Sequence, residues 1–240
     1  MSIADKITRA KTDYDEVYDA GKQEGKLEGK QAEYDRFWDA LQDNGNRWNY
    51  NYAFAAPYWT EETFRPKYDL ICKSCNYLFT SIQVKDIERH LNDLGIKLDT
   101  SQSGYMNGIC TYNYTVEVMP ELSFEGVSSI DACFHSAKKL KTIRKMILKS
   151  DGSQTINQYI FNHCESLENI VIEGVLGVTV HFNSSPNLSR ASIESIVSSL
   201  SDTVTGQRIT FMNAAKTKAF TDAEWSALIA TKPNWTFTLV

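Results

Sequence analysis

Nowhere in the 240 residues do about 18 apolar residues follow one another, the length that a membrane-spanning helix requires. No membrane insertion is expected. The start, MSIADKITRAKTDYDE, lacks the apolar core of a secretory signal, so a protein made in the cytoplasm and not exported is expected. Positive charge is also scarce: 25 Lys and Arg against 30 Asp and Glu leave a net charge of -5. A phosphate-binding surface needs a surplus of cations, so nucleic acid is not an expected partner. The five cysteines, Cys72, Cys75, Cys110, Cys133 and Cys164, are odd in number and dispersed, unlike a secreted disulfide framework. Cys72 and Cys75 form a C-x-x-C with no second pair at usable spacing, so two ordinary thiols are expected and no metal site. What the chain does have is 42% hydrophobic residues, enough for a packed core.

At the N terminus Ile3, Ile7, Ala10, Tyr14, Val17 and Gly21 recur at intervals of 4, 3, 4, 3 and 4, the seam of a heptad helix. Tyr14 at a core position disfavours the tightest two-stranded packing, which makes a homotrimer the expected oligomer. Gly21, Gly25 and Gly29 then share one helix face, at a cost of about 1 kcal/mol each relative to alanine. They stand where one seam hands over to another, beginning at Tyr34, Phe37, Trp38 and Leu41, before DNGN ends the helix. The alternative is a single solvated helix lying on its own domain. Residues 47–70 then concentrate Trp48, Tyr50, Tyr52, Phe54, Tyr58, Trp59, Phe64 and Tyr68, a composition suited to covering the open end of a core.

From residue 79 a repeat emerges. Phe134, Phe161 and Phe182 are each followed, after five residues, by Leu140, Leu167 and Leu188, and Ile143 and Ile170 continue the first two copies. The phenylalanines lie 27 and 21 residues apart, within the roughly 20–29 residues of a leucine-rich repeat. A unit this small cannot bury its own apolar face, so stacked copies must share one core. The tail reads differently: SRASIESIVSSLSD as a serine-capped helix, GQRITF as a strand, TDAEWSALIAT as a capped helix and NWTFTLV as a closing strand.

Of the four histidines, His90, His135, His163 and His181, the middle two fall one and two residues after aligned phenylalanines and so approach each other in a stack. A metal or acid/base site there needs a third group, and only Asp131 and Glu165 lie near in sequence. Polar turn residues are the simpler reading. No catalytic residue, no metal and no cofactor is expected.

Six segments, EYDRFWDALQDNGNR, YAFAAPYWTEETFRPKYD, LKSDGSQT, SLENIVIEG, LSRASIESIVSSLS and EWSALIATKPNWT, together resemble, in that order, BspA-type leucine-rich-repeat proteins. Such proteins occur among minor structural, tail-associated proteins of phages and prophages of Gram-positive bacteria. The resemblance covers residues 33–240 and implies a short right-handed solenoid of strands and turns with a mixed C-terminal cap, and no active site. The first 30 residues depart from it.

The expected fold class is thus α+β, an N-terminal coiled-coil helix followed by a short irregular leucine-rich-repeat solenoid with an α/β C-terminal cap. The segments are 1–45 for helical oligomerisation or docking, 46–78 for the aromatic-rich N-terminal cap, 79–188 for the solenoid and 189–240 for the C-terminal cap. Ile3, Ile7, Ala10, Tyr14, Val17, Gly21, Gly25 and Gly29 are the oligomerisation residues; the repeat core is Phe134, Leu140, Ile143, Phe161, Leu167, Ile170, Phe182 and Leu188. In YMNGICTYNYT, Tyr105, Tyr112 and Tyr114 are candidates for stacking on sugar rings and Asn107 and Asn113 for bonding hydroxyls. The expected function is that of a non-enzymatic virion protein, a tail or baseplate fibre or a decoration. Its partners would be its own copies, other virion proteins through the helix, and a host-surface glycan or protein. A bacterial leucine-rich-repeat adhesin or an interaction scaffold is the alternative; an adhesin would need an export signal and an anchor.

Overall fold

Asn169–Glu173 alternates exposed and buried residues, with Ile170 and Ile172 turned inward, the period of a half-buried strand. Runs of this kind recur, separated by turns, in a computed structural model that describes residues 70–71, 78–80, 82, 84–93, 98–101, 103–104 and 106–240. The N-terminal oligomerisation residues, the aromatic-rich stretch 47–69, Cys72, Cys75 and Tyr105 lie outside the described residues.

In chain order the elements are β1 (Leu70–Ile71), α1 (Ile87–Asp93), β2 (Leu98–Asp99), β3 (Val118–Ser123), β4 (Ser129–Ile130), β5 (Thr142–Ile147), β6 (Thr155–Ile156), β7 (Asn169–Glu173) and β8 (Val180–Phe182). There follow α2 (Arg190–Ser199), β9 (Gln207–Phe211), α3 (Asn213–Ala219), α4 (Asp222–Ala230) and β10 (Trp235–Leu239). Every strand pairing among the described residues is parallel. The sheets run β3-β5-β7, β4-β6 and β10-β9-β8, with β1-β2 as a separate pair. Val118 pairs with Thr142 and Thr142 with Asn169, so each circuit of the chain lays its strand beside that of the circuit before. Parallel neighbours need a long crossover. Here turns and a two-residue strand supply it, and the circuit closes around its own interior.

That interior is apolar and layered. Phe134, Leu140, Ile143, Phe161, Leu167, Ile170, Phe182 and Leu188 are all buried. The rings of Phe134, Phe161, Phe182 and Phe211 stack in succession, with centroids 5.7, 4.5 and 5.8 Å apart. Phe211 belongs to β9, and β8 pairs with β9, so one sheet and one ring stack run across the boundary drawn at residue 188.

A turn glycine fixes the exit from β7. Gly174 has φ +90°, and a Cβ there would stand 2.2 Å from the Leu148 carbonyl oxygen. Only glycine permits both the left-handed backbone and that approach.

The open edge of β7 is closed by α2 rather than by another strand. Ser189 caps the helix by accepting from the Ser192 N–H, and Ile193, Ile196 and Val197 face the core. Its serines complete the ladder: the Ile170 N–H donates to Ser192 Oγ and the Ile172 N–H to Ser195 Oγ, both at 2.9 Å. Ser192 Oγ in turn donates to the Glu168 carbonyl at 3.0 Å. Covering a sheet edge in this way removes a site for unwanted strand addition.

Arg190 binds α2 to α4. Its guanidinium donates to Glu194 and Glu224, each at 2.8 Å, and lies 4.7 Å from the centroid of the Phe220 ring. Glu224 also closes the capping box of α4 with Thr221. The Arg190 hydrogen bond, then the Thr221 backbone and hydroxyl, hold the Glu224 carboxyl down from 4.5 to about 2. A carboxyl whose folded pKa is depressed stabilises the fold fully above its unfolded value, and that contribution is lost as pH falls toward 2. The melting midpoint should therefore decline between about pH 4.5 and 2, and Glu224→Gln should flatten that decline. The same slope in the variant would show that this carboxylate carries none of it.

Candidate recognition surface

One turn position is unusual in three successive circuits. Each circuit has an inward residue, Cys110, Phe134, Phe161 or Phe182, whose carbonyl accepts from the N–H three residues on: that of Asn113, Ala137, Cys164 or Ser185. Between them, two residues after the inward one, stand Tyr112, Ser136 and His163 with φ of 53°, 60° and 58°. The left-handed region is unfavourable for residues that carry a Cβ. These turns adopt it all the same.

The same turns assemble a row of rings. Tyr112 meets His135 edge to face at 5.4 Å and His135 meets His163 at 5.9 Å, with interplanar angles of 75° and 80°. Tyr112 is 57% exposed, His135 half-buried and His163 exposed. Tyr114 and Tyr159 are exposed as well, and Tyr159 lies against His181 at 5.8 Å. His181 is fixed from both sides, Nδ1 at 2.8 Å from Thr210 Oγ1 and Nε2 at 3.1 Å from Gln158 Oε1. Partial burial, and then the Arg208 charge, lower its pKa and favour the neutral ring.

The candidate asparagines part company. Asn107 is half-buried, and its Oδ1 accepts from the Asp131 N–H at 3.2 Å. Asn113 does not belong to a ligand surface. It is 2% exposed, its amide nitrogen lies within 3.2 Å of the carbonyls of Phe79, Thr80 and Ile82, and its Oδ1 accepts from the N–H groups of Thr115 and Val116 at 2.8 Å. Two amide hydrogens shared among three carbonyls leave none for an exposed hydroxyl.

The equivalent residues in later circuits act alike: the Cys164 thiol donates to the Phe134 carbonyl at 3.1 Å, and the Ser185 hydroxyl to the Cys164 carbonyl at 3.1 Å. Burial pushes the Cys164 thiol up to about 12 and the Cys110 thiol up as well. Thiols so held are poor nucleophiles. Among the described residues no group of three or more His, Cys, Asp or Glu is placed to hold a metal ion.

A second surface, the outer face of β3-β5-β7, is charged but self-matched. Lys145 lies 3.2 Å from both Glu121 and Glu173, and Glu117 pairs with Lys141 at 2.7 Å. Cross-strand pairs of this kind support the sheet and leave little net charge to attract a partner. Among the described residues the ring row gathers exposed and half-buried aromatic side chains that take part in no ion pair given above. Its signal in the sequence was the placing of His135 and His163 just after aligned phenylalanines; reading them only as turn residues overlooked their union with Tyr112.

The chain matches no protein-family model, no curated protein and no solved structure.

Proposed function

We propose that the protein is a non-enzymatic structural component of a phage particle, a tail or baseplate fibre or a decorating subunit, that displays its repeat body for recognition at a host surface. In this reading the parallel circuits form a short, irregular leucine-rich-repeat solenoid, and residues 189–240 cap it. The N-terminal helix, with its heptad seam, gathers three copies and docks them on other virion proteins. The observation that carries the proposal is the ordered resemblance of six separate segments to phage-borne BspA-type proteins. The stacked circuits are consistent with it, since a stack offers an extended face on which side chains recur at fixed spacing.

The test is the composition of particles. In a density gradient of lysate from the source strain, the protein should band with capsid and tail proteins and be recovered by mass spectrometry from washed virions. The purified chain should scatter light as a trimer, and deletion of residues 1–30 should leave a monomer. A protein found only with cell envelopes would overturn the virion reading in favour of an adhesin, and a monomeric full-length chain would remove the helix from any oligomerising role.

A further inference from the structure

We infer that Tyr112, His135 and His163 form a binding row for a neutral glycan chain laid along the axis of the circuits. The inference rests on the displayed-recognition reading above and specifies its ligand class and contact residues.

The first ground is strain. The turn position two residues after the inward side chain is left-handed in three successive circuits, at Tyr112, Ser136 and His163. Glycine or asparagine holds such a position more cheaply. Tyr112 and His163 bring rings to the surface at a turn position that the circuit between them fills with the buried Ser136. Where the turn imposes a left-handed backbone, a ring that holds it less cheaply than glycine points to a role for that side chain.

The second ground is geometry. The rings of Tyr112, His135 and His163 follow one another at 5.4 and 5.9 Å, one per circuit. The edge contacts fix their orientations. A pyranose chain in extended form is itself a line of rings, each with an apolar C–H face and a rim of hydroxyls, and aromatic faces accept such surfaces. His135 is followed at the equivalent position of the next two circuits by Asn162 and Asn183, both half-buried and both within 3.4 Å of Ser184 Oγ. The line therefore continues from rings into amides and a hydroxyl, groups that can donate to and accept from sugar hydroxyls.

The third ground is charge. No cation or carboxylate takes part in the ring contacts, and the nearest ion pair in sequence, Lys138 with Glu165 at 3.6 Å, neutralises itself. Among the described residues the ring contacts themselves involve no charged group, which favours a neutral chain over an anionic polymer as the ligand.

The experiment uses the full-length protein and linear β-1,4-linked oligomers of N-acetylglucosamine and of glucose, from monosaccharide to hexasaccharide, followed by the imidazole NMR signals of His135 and His163 and by calorimetry. Both signals should shift, and affinity should rise at least about tenfold from monosaccharide to tetrasaccharide as successive rings are covered. Tyr112→Gly combined with His163→Gly relieves two strained positions, so its melting midpoint should hold or rise while affinity falls about tenfold. His135→Asn, which supplies the amide found in the following circuits, is a second folded variant expected to show the same loss. The inference is overturned if none of the oligomers moves the imidazole signals, if both variants bind like the wild type, or if the row prefers a proline-rich peptide used as the competing probe. Any of these in a protein that bands with virions removes the ligand assignment and leaves the virion reading intact. Oligosaccharide binding by a protein absent from virions supports the row and removes the virion reading.

Discussion

Phe161→Ala is expected to destabilise the protein by about 3–5 kcal/mol, the range for removing a buried phenylalanine ring. The ring is 2% exposed and stacks on Phe134 at 5.7 Å and on Phe182 at 4.5 Å. Truncation leaves a void whose walls are held by the β5-β7 pairing on one side and by the serine bonds from α2 to β7 on the other, so they collapse into it only in part. Repeat arrays derive much of their stability from interfaces between neighbouring units, and this substitution removes contacts on both sides of one unit. Leu167→Ala, at a position that is fully buried, should cost about 2–5 kcal/mol for the same reason. Val171, 47% exposed on the same strand β7, is the control, and Val171→Ala should stay within about 0.5 kcal/mol. Chemical denaturation monitored by tryptophan fluorescence measures all three. Equal costs at Phe161 and Val171 would mean that the ring stack contributes no packing.

The inward apolar positions were legible because a residue that stacks on its own equivalent must recur at the circuit length. Phe134, Phe161 and Phe182 therefore announce themselves, and so do the leucines after them. The fourth ring, Phe211, escaped because it arrives through a strand of the tail with no following leucine at the same spacing. Cys110 holds the phenylalanine's place in an earlier circuit, a smaller side chain that breaks the visible pattern. The substitution of α2 for a strand beside β7 was half legible: the serine cap and the apolar face of Ile193, Ile196 and Val197 mark a helix, but nothing in a periodicity says that Ser192 and Ser195 would turn their hydroxyls to strand N–H groups. The ring row was harder still. Tyr112, His135 and His163 adjoin only after three circuits are stacked, and their positions relative to the inward residue differ by one.

Polarity also misleads when it is read as exposure, and Asn113 shows why. Between two tyrosines and beside threonines it resembles a surface residue, and the tyrosines on either side are indeed exposed, at 57% and 53%. Yet it falls three residues after the inward Cys110, as Cys164 and Ser185 fall three after Phe161 and Phe182, and that position points inward in every circuit. A polar residue there donates to backbone carbonyls of the preceding circuit.

Asn113→Ala is accordingly expected to be among the most damaging single changes at a polar residue of the described part of the chain. It leaves the carbonyls of Phe79, Thr80 and Ile82 and the N–H groups of Thr115 and Val116 without the amide that now joins them. Each buried polar group left unsatisfied costs about 1–3 kcal/mol. Water entering the vacated volume recovers some of these bonds, so the total falls well below the sum, at about 3–5 kcal/mol. Asn113→Asp separates the two halves of the role. The carboxylate keeps an acceptor for Thr115 and Val116 but loses both donors and turns negative charge toward three carbonyl oxygens, so it should be no more stable than the alanine variant near neutral pH and should regain stability as acid protonates it. Denaturation midpoints of both variants at pH 7 and pH 4 decide the matter. If Asn113→Asp matches the wild type at pH 7, the donor side of the amide carries no weight and the bridge to Phe79, Thr80 and Ile82 is incidental.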